Sequence, residues 1–382
     1  MKKLVVAAFL ITFIVYFFSS AGHTPFDYFT RLSDSFLQGK YYLTENPSWL
    51  NELIPAGTDR FFVAYPPMPA ILAIPFRLIF HKNFYQEYLA QLLGAAMTAL
   101  TMLISWKIKE DKKQLVWVGL LTAFGNIVWY MSSTGSSWYL GQITSAFFLT
   151  AAIQESLNKK RPISVGVFLG ASFLARLQVV LSLPFFLYLL FDKKEWFRKY
   201  LLLAVGMFPF VIFNFYYNFI RFGTIFDKGY SLIPGVLDEP WFKKGLFNIS
   251  YIPNGLKTMF LSLPKFNNKY PYITPSWAGL SILITTPAFV YSLFARIKEK
   301  AVQFSWLSII FISVVVLGHG STGFAQFGYR FAVDFYPLLI FLTIKGISKT
   351  GIRWHHWLLL IFSILVNLWG VIWINKLGWV SF

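Results

Sequence analysis

Cysteine is absent from this chain, which excludes disulfides, thiolate metal sites, iron–sulfur clusters and cysteine nucleophiles. Charge is scarce: Asp, Glu, Lys and Arg together make up 13% of 382 residues, about half of the ~25% usual in a soluble globule. Acidic charge is scarcer still, with 16 carboxylates against 34 Lys and Arg and a net charge of +18. The basic residues nowhere form the long interleaved run of a nucleic-acid surface, so the excess calls for another explanation and nucleic acid is not an expected partner. There is no HExxH metal motif, no phosphate-cradling glycine loop, no Ser-His-Asp order, no internal repeat and no flexible Gly/Ser linker. What the chain does have is apolar residues, 56% hydrophobic and 20% aromatic. They gather into long blocks separated by short Lys/Arg-rich joints, the pattern of a membrane protein and not of a soluble core.

Eleven blocks approach the ~20 residues that a bilayer core requires: 3 to 20, 87 to 106, 114 to 131, 138 to 157, 163 to 176, 177 to 191, 199 to 217, 278 to 295, 302 to 318, 332 to 345 and 356 to 375. The first has only Lys2 and Lys3 ahead of it and no small-residue cleavage site, which reads as a retained helix starting in the cytoplasm. If the blocks alternate from there, the inner joints hold 19 of the 34 basic residues, as the positive-inside rule expects. The expected fold is therefore an all-α polytopic membrane protein of about eleven transmembrane helices, N-terminus in and C-terminus out, forming one integral membrane domain over 1–382. Residues 66–81 (PPMPAILAIPFRLIFH) are apolar but short and proline-rich. A crossing there would invert every later joint, so they are expected to lie against the outer leaflet. The long outer segments, 21–86 with its juxtamembrane helices and 218–277, carry most of the polar variety and are expected to form the functional face.

The carboxylates sort by position. Glu110, Asp111, Glu155, Asp192, Glu195 and Glu299 lie in or beside basic inner joints, where they balance charge. Asp27, Asp34, Glu45, Glu52, Asp59, Glu87, Asp227, Asp238, Glu239 and Asp334 fall at or near the outer face, where a catalytic acid or base would be needed. Asp27 follows the first block within a few residues and opens a stretch, YFTRLSDSFLQGK, with apolar residues at helical spacing. It could equally be a helix N-cap. Asp34 lies two turns further along on roughly the same face and is the reserve candidate.

The order of features here resembles the GT-C superfamily of membrane glycosyltransferases, in particular protein O-mannosyltransferases and lipid A aminoarabinose transferases. The features are one transmembrane helix, an outer loop opening on DYFxxLxDxFLxGxxYL and a YPPxPAxLxxPF segment; FLARLQVVLSLPFFL, NFIRFGTIFDKGY and QFGYRFAVDFYPLL follow. That resemblance implies sugar transfer from a polyprenyl-phosphate donor to a lipid, glycan or protein acceptor at the outer face of the plasma membrane. It implies that the first-loop aspartate, Asp27, acts on the acceptor nucleophile, and it requires no cofactor and no metal. It also puts Gln326 and Tyr329 among the substrate-binding positions. The chain departs from the pattern at 131 to 142 (MSSTGSSWYLGQ), where relatives often carry a second acid.

A leaving phosphate needs cations, and arginine offers bidentate donors. Arg176, with Gln178, lies at the hinge between two apolar blocks, where an unpaired charge is costly and functional by default. Arg330, at the mouth of the tenth block, stands four residues before Asp334, a spacing that also permits a plain intrahelical salt bridge. Arg221, near Asp227, is a weaker candidate. Tyr65, Trp138, Tyr139, Trp241 and Tyr270 could stack on a sugar or the polyprenyl chain, although such residues gather at membrane interfaces in any case. His23 and His319 lack a patterned carboxylate and make a poor metal signal. The segment 251 to 264 reads as an outer amphipathic helix. A transporter or flippase of lipid-linked sugars is the competing class. It would place its charges and broken helices near the midplane in repeated halves, whereas here the charges outside the joints collect at one face.

Overall fold

The computed structural model describes residues 1–378. Its helices run α1 Lys2–Phe18, α2 Tyr28–Leu37, α3 Met68–Phe80, α4 Gln86–Ile108, α5 Lys112–Ala123, α6 Val128–Thr134, α7 Ser137–Leu157, α8 Pro162–Ala175, α9 Leu183–Leu190, α10 Trp196–Phe222, α11 Ile252–Leu261, α12 Ile282–Thr285, α13 Lys300–Leu317, α14 Tyr336–Thr350 and α15 Trp354–Val371. Two short hairpins, β1 Leu53–Pro55 with β2 Phe61–Val63 and β3 Lys265–Phe266 with β4 Ile273–Thr274, lie in the two long loops. The protein is an all-α integral membrane protein.

All eleven apolar blocks are helical, but they differ in reach. Among the described residues, five helices are long and apolar enough to cross a bilayer alone, six if α5 and α6, bent by 50° at their junction, form one span. Of the others, α7 is long, at 21 residues, and the rest are short. At 1.5 Å per residue, the 14 residues of α8 cover only about 21 Å of a ~30 Å core. The chain then turns at Arg176 into a 3₁₀ stretch, Leu177–Ser182, and into α9. Block 278 to 295 is the four-residue α12 followed by 3₁₀ helix over Pro287–Phe294. The 13 residues of α3, with Pro75 inside, reach about 20 Å and cannot span.

Packing separates central from peripheral helices. The span Arg330–Thr350 is 83% buried and α10 only 28%. Accordingly α10 turns Phe208 and Phe219 outward, as a lipid-facing helix should. Gly166 of α8 and Gly206 of α10 let these two helices touch backbone to backbone: a Cβ on Gly166 would stand 2.1 Å from the Leu203 carbonyl oxygen, and one on Gly206 2.3 Å from that of Ile163. Where helices meet without water, several buried polar groups pair across elements. Tyr16 donates to the Ala123 carbonyl at 2.6 Å. Asn375 donates to Ser133 at 2.8 Å and to the Ser19 carbonyl at 3.1 Å, and accepts from Thr134 at 2.8 Å.

The two long loops meet at one end of the bundle. Ile54 and Ala64 of the first pack with Ile233, Val236 and Phe242 of the second. The segment after α13 joins them through Gly320 N–H to the Leu246 carbonyl at 2.9 Å, and Tyr329 N–H reaches the Leu280 carbonyl at 3.0 Å.

Candidate functional site

Arg176 is where α8 stops. Its backbone is extended (φ −150°, ψ 103°), which ends the helix and turns the side chain toward the start of the Arg330–Thr350 span. There its Nη2 donates to Asp334 at 2.9 Å and its Nε reaches the same carboxylate at 3.2 Å. Gln178 adds a bond to Asp334 at 2.5 Å. Asp334 is wholly buried and lies on a 3₁₀ turn, Arg330–Phe335, that leads into α14. In a 3₁₀ helix, with three residues per turn, positions i and i+4 diverge by about 120°. The Arg330–Asp334 pair that an α-helix would allow does not form, and Arg176 takes the aspartate instead.

Arg330 is thereby left over. Its carbonyl accepts from Gln142 of α7 at 2.9 Å, which fixes the backbone. Its guanidinium carbon lies 5.0 Å from the Phe331 ring centre and 5.7 Å from that of Tyr139, within cation–π range. Its Nε is buried without a hydrogen-bond partner. Among the described residues no carboxylate approaches it within salt-bridge distance.

Three further groups surround this cation. His319 lies among Tyr230, Phe242, Phe247 and Phe331, with Nδ1 2.8 Å from the Ser321 carbonyl. Burial above all, and then the charges of Arg176 and Arg330, hold the imidazole down to about 4, so it is neutral at neutral pH. Both arginines therefore face one neighbourhood. Glu52 accepts from the Trp138 indole N–H at 2.8 Å. Burial pushes its carboxyl up to about 7, against the pull of the Trp138 bond and the Arg330 charge and with a smaller push from Glu239. Tyr230 feels Glu52, Arg330 and Glu239 together, and burial raises its hydroxyl.

The first-loop aspartates are both in ion pairs. Asp27 occupies the N-cap position of α2 without a capping side-chain bond, and instead accepts from Arg31 Nε at 2.7 Å. Arg31 in turn reaches Glu45 at 2.8 Å. Asp34 takes a two-pronged pair from the buried Arg77, whose Nε lies at 2.7 Å. Arg77 also donates to the Phe84 carbonyl at 2.9 Å, so this pair ties α2 to α3. Asp27 adjoins the arginine site through its neighbours: the Phe26 ring is 4.7 Å from Trp138, and the Tyr28 hydroxyl accepts from the Glu52 backbone N–H at 3.1 Å.

The remaining expected positions divide. Tyr65 packs on Tyr28 and Phe29 at 5.4 and 6.0 Å with its hydroxyl buried and unpartnered. Tyr329 is buried, 5.9 Å from Phe331. Gln326 spends both its N–H bonds on the Ala278 and Thr322 carbonyls. Arg221 donates to the carbonyls of Tyr217 and Val63 and to Asn218, and covers the Tyr217 ring at 3.7 Å. Gln326 and Arg221 thus hold loops in place, and their donors are occupied. His23 stacks on Tyr85 in surroundings different from those of His319. Among the described residues no group of three or more His, Asp or Glu is placed to hold a metal.

Two acids from other segments stand beside the acid-free stretch 131 to 142. Gly135, at φ +64°, lies so close to Glu87 of α4 that a Cβ would stand 2.5 Å from the Glu87 Cα. The Glu87 carboxylate accepts from Thr24 N–H and keeps its other oxygen buried and unbonded. Glu52 reaches the same segment through Trp138. Nothing in the spacing of Glu52 or Glu87 marks either one, because both arrive by the folding of separate segments. Trp138 reads from sequence as an interface aromatic. A separate cavity of 390 Å³, lined by Phe36, Lys40, Tyr41, Ile71, Ile74 and Phe213, includes none of these groups.

No protein-family model matches the chain, and no curated protein matches it. Solved structures do, among them two of one protein. ArnT from Cupriavidus metallidurans bound to undecaprenyl phosphate aligns with a TM-score of 0.58 at 14% identity, over 96% of this chain and 63% of that one. The apo form of the same protein aligns with a TM-score of 0.54 at 12% identity, over 95% and 62%. The chain therefore spans under two thirds of the length of that neighbour. Over nearly its whole length the chain has the fold of that protein.

Proposed function

We propose that this chain is a glycosyltransferase of the plasma membrane that transfers a sugar from a polyprenyl-phosphate-linked donor to an acceptor at the outer face. In this reading it is one domain of eleven crossings, N-terminus in and C-terminus out, in which the blocks too short to span alone are completed by the protein packed around them. The two long loops then form the outer face, next to the lipid headgroups. The observation that carries the proposal is Arg330, a part-buried guanidinium with an unfilled Nε and no carboxylate within salt-bridge distance among the described residues. A charge kept uncompensated in such surroundings is costly, and a phosphate is the ligand that a guanidinium best satisfies. The likeness of the fold to that of ArnT, described as bound to undecaprenyl phosphate, supports the same chemistry here.

In mechanism, Arg330 stabilises the charge that develops on the lipid phosphate as its bond to the sugar C1 breaks. Arg176 adds its field while holding Asp334. Tyr65 and Tyr329 offer faces and a hydroxyl to the substrate. A first-loop carboxylate works on the acceptor side: Asp27 by the sequence resemblance, with Asp34 in reserve. The acceptor is a lipid, a glycan or a protein, and the reaction needs no cofactor. The test is binding of radiolabelled undecaprenyl phosphate to the purified protein in nanodiscs, followed by transfer from undecaprenyl-phosphate-linked sugars. Arg330→Ala should weaken saturable binding by roughly 10- to 150-fold. Equal binding by wild type and variant would end the proposal.

A further inference from the structure

Glu52 and Arg330 form an opposed pair that does not close. They are near enough for the Arg330 charge to act on the Glu52 carboxyl, yet they make no salt bridge, although the chain pairs Arg176, Arg77, Arg31 and Arg161 with carboxylates at hydrogen-bond distance. Each keeps unfilled capacity. Glu52 is fixed at two points, by its backbone N–H on the Tyr28 hydroxyl and by Trp138 on Oε2, and Oε1 has no partner among the described residues. On the other side Arg330 Nε is unfilled. A cation and an anion held apart, each with an open bond, fit a reaction that develops negative charge at one end and releases a proton at the other.

We propose that Glu52 is the proton acceptor of the transfer reaction and that the acceptor nucleophile is a neutral hydroxyl. This rests on the function proposed above. The hydroxyl oxygen bonds to the sugar C1 as the C1–O bond to the lipid phosphate breaks. The phosphate leaves with that electron pair toward Arg330, and the hydroxyl proton passes to Glu52 Oε1. A phosphate-monoester acceptor would already be largely ionised at neutral pH and would need no such base; a hydroxyl does. Asp27, already bonded to Arg31, then acts as a positioning residue for the start of α2, which carries Tyr28 and so the Glu52 backbone. Besides Arg330, the groups facing Glu52 are Tyr28 of α2, Trp138 of α7, and Glu239 and Tyr230 of the second long loop. Burial keeps the Glu52 carboxyl poised near neutrality, where a general base is most effective.

The experiment is a steady-state pH profile in nanodiscs, using radiolabelled undecaprenyl-phosphate-linked mannose, glucose, galactose and aminoarabinose with membrane extract as acceptor, and undecaprenyl phosphate binding measured in parallel. Glu52→Gln should lower kcat by about 10²-fold or more, lose the activity rise near pH 7 and keep lipid-phosphate affinity within about threefold. Glu52→Asp should restore part of kcat. Trp138→Phe, by removing a donor to the anion, should move the inflection to higher pH. If wild type transfers sugar and Glu52→Gln keeps its rate and inflection, the assignment of Glu52 is overturned and the function stands. Loss of lipid binding along with kcat in Glu52→Gln makes Glu52 structural and also overturns it. If wild type neither binds undecaprenyl phosphate nor uses any donor, the function falls and this inference with it.

Discussion

Asp334 accepts from Arg176, 158 residues earlier in the chain, and not from Arg330, four residues before it on the same turn. This choice sorts two arginines that look alike in sequence. Arg176 neutralises a wholly buried carboxylate, and Arg330 is free to meet an anion from outside. A swap of partners would have reversed their roles.

Arg330→Ala should weaken undecaprenyl phosphate binding by roughly 10- to 150-fold, the range of one charge-assisted hydrogen bond at about 1.5–3 kcal/mol. Arg330→Lys, which keeps the charge but not the fork, should recover part of it. Equilibrium binding of radiolabelled lipid in nanodiscs measures both. Unaltered affinity in the alanine variant would remove Arg330 from the donor site.

Arg176→Gln should act mainly on stability. It leaves Asp334 buried with only Gln178, and breaking a buried pair in this way costs about 3–5 kcal/mol. Asp334→Asn placed on top of Arg176→Gln should regain most of the loss, because the stranded charge is then gone. Thermal unfolding in detergent decides this: a double variant no more stable than Arg176→Gln alone would contradict the pairing.

Stability should depend on pH through two loop residues of opposite sign. The folded protein holds a proton on Glu52 up to about 7, against 4.5 ordinarily. The native state therefore binds more protons than the unfolded chain in that window, and stability falls as pH rises through it. His319 is held down to about 4 from 6.5, so its contribution falls as pH drops through 6.5 toward 4. The two slopes oppose each other where they overlap. Glu52→Gln should remove the decline toward pH 7 and uncover the acid-side decline due to His319. Melting temperatures between pH 4.5 and 8 measure it, and identical profiles for wild type and variant would contradict the burial of Glu52.

Gly135→Ala should destabilise the protein and impair transfer together. The position has φ +64° and no room before the Glu87 backbone. The left-handed conformation alone costs a non-glycine residue roughly 1–2 kcal/mol, and the clash pushes α4 away from the segment that carries Trp138. A variant with wild-type melting temperature would show that the two segments are not in contact.

Much of the fold was legible because the bilayer imposes a length and a composition. The apolar blocks, their basic joints and the proline-rich α3 all follow from that one constraint. How far each block reaches did not follow: α8, α9 and the 282–294 block are too short to span alone by length. Backbone choices set their lengths, such as the extended Arg176 and the 3₁₀ turns at Leu177–Ser182 and Pro287–Phe294. Among candidate residues, Arg176 and Arg330 stood out because charge beside apolar blocks is rare. Glu52 did not, because an acid in a polar loop is ordinary until the loop folds over it.

The sequence by itself determined an all-α membrane protein with two long polar loops between apolar blocks, since hydrophobic length and charge placement are local properties. Which arginine is neutralised, which carboxylate is buried and what stands beside the acid-free 131 to 142 segment were decided only by tertiary structure. Those outcomes depend on contacts between segments up to 158 residues apart, and on desolvation that no single segment can produce alone.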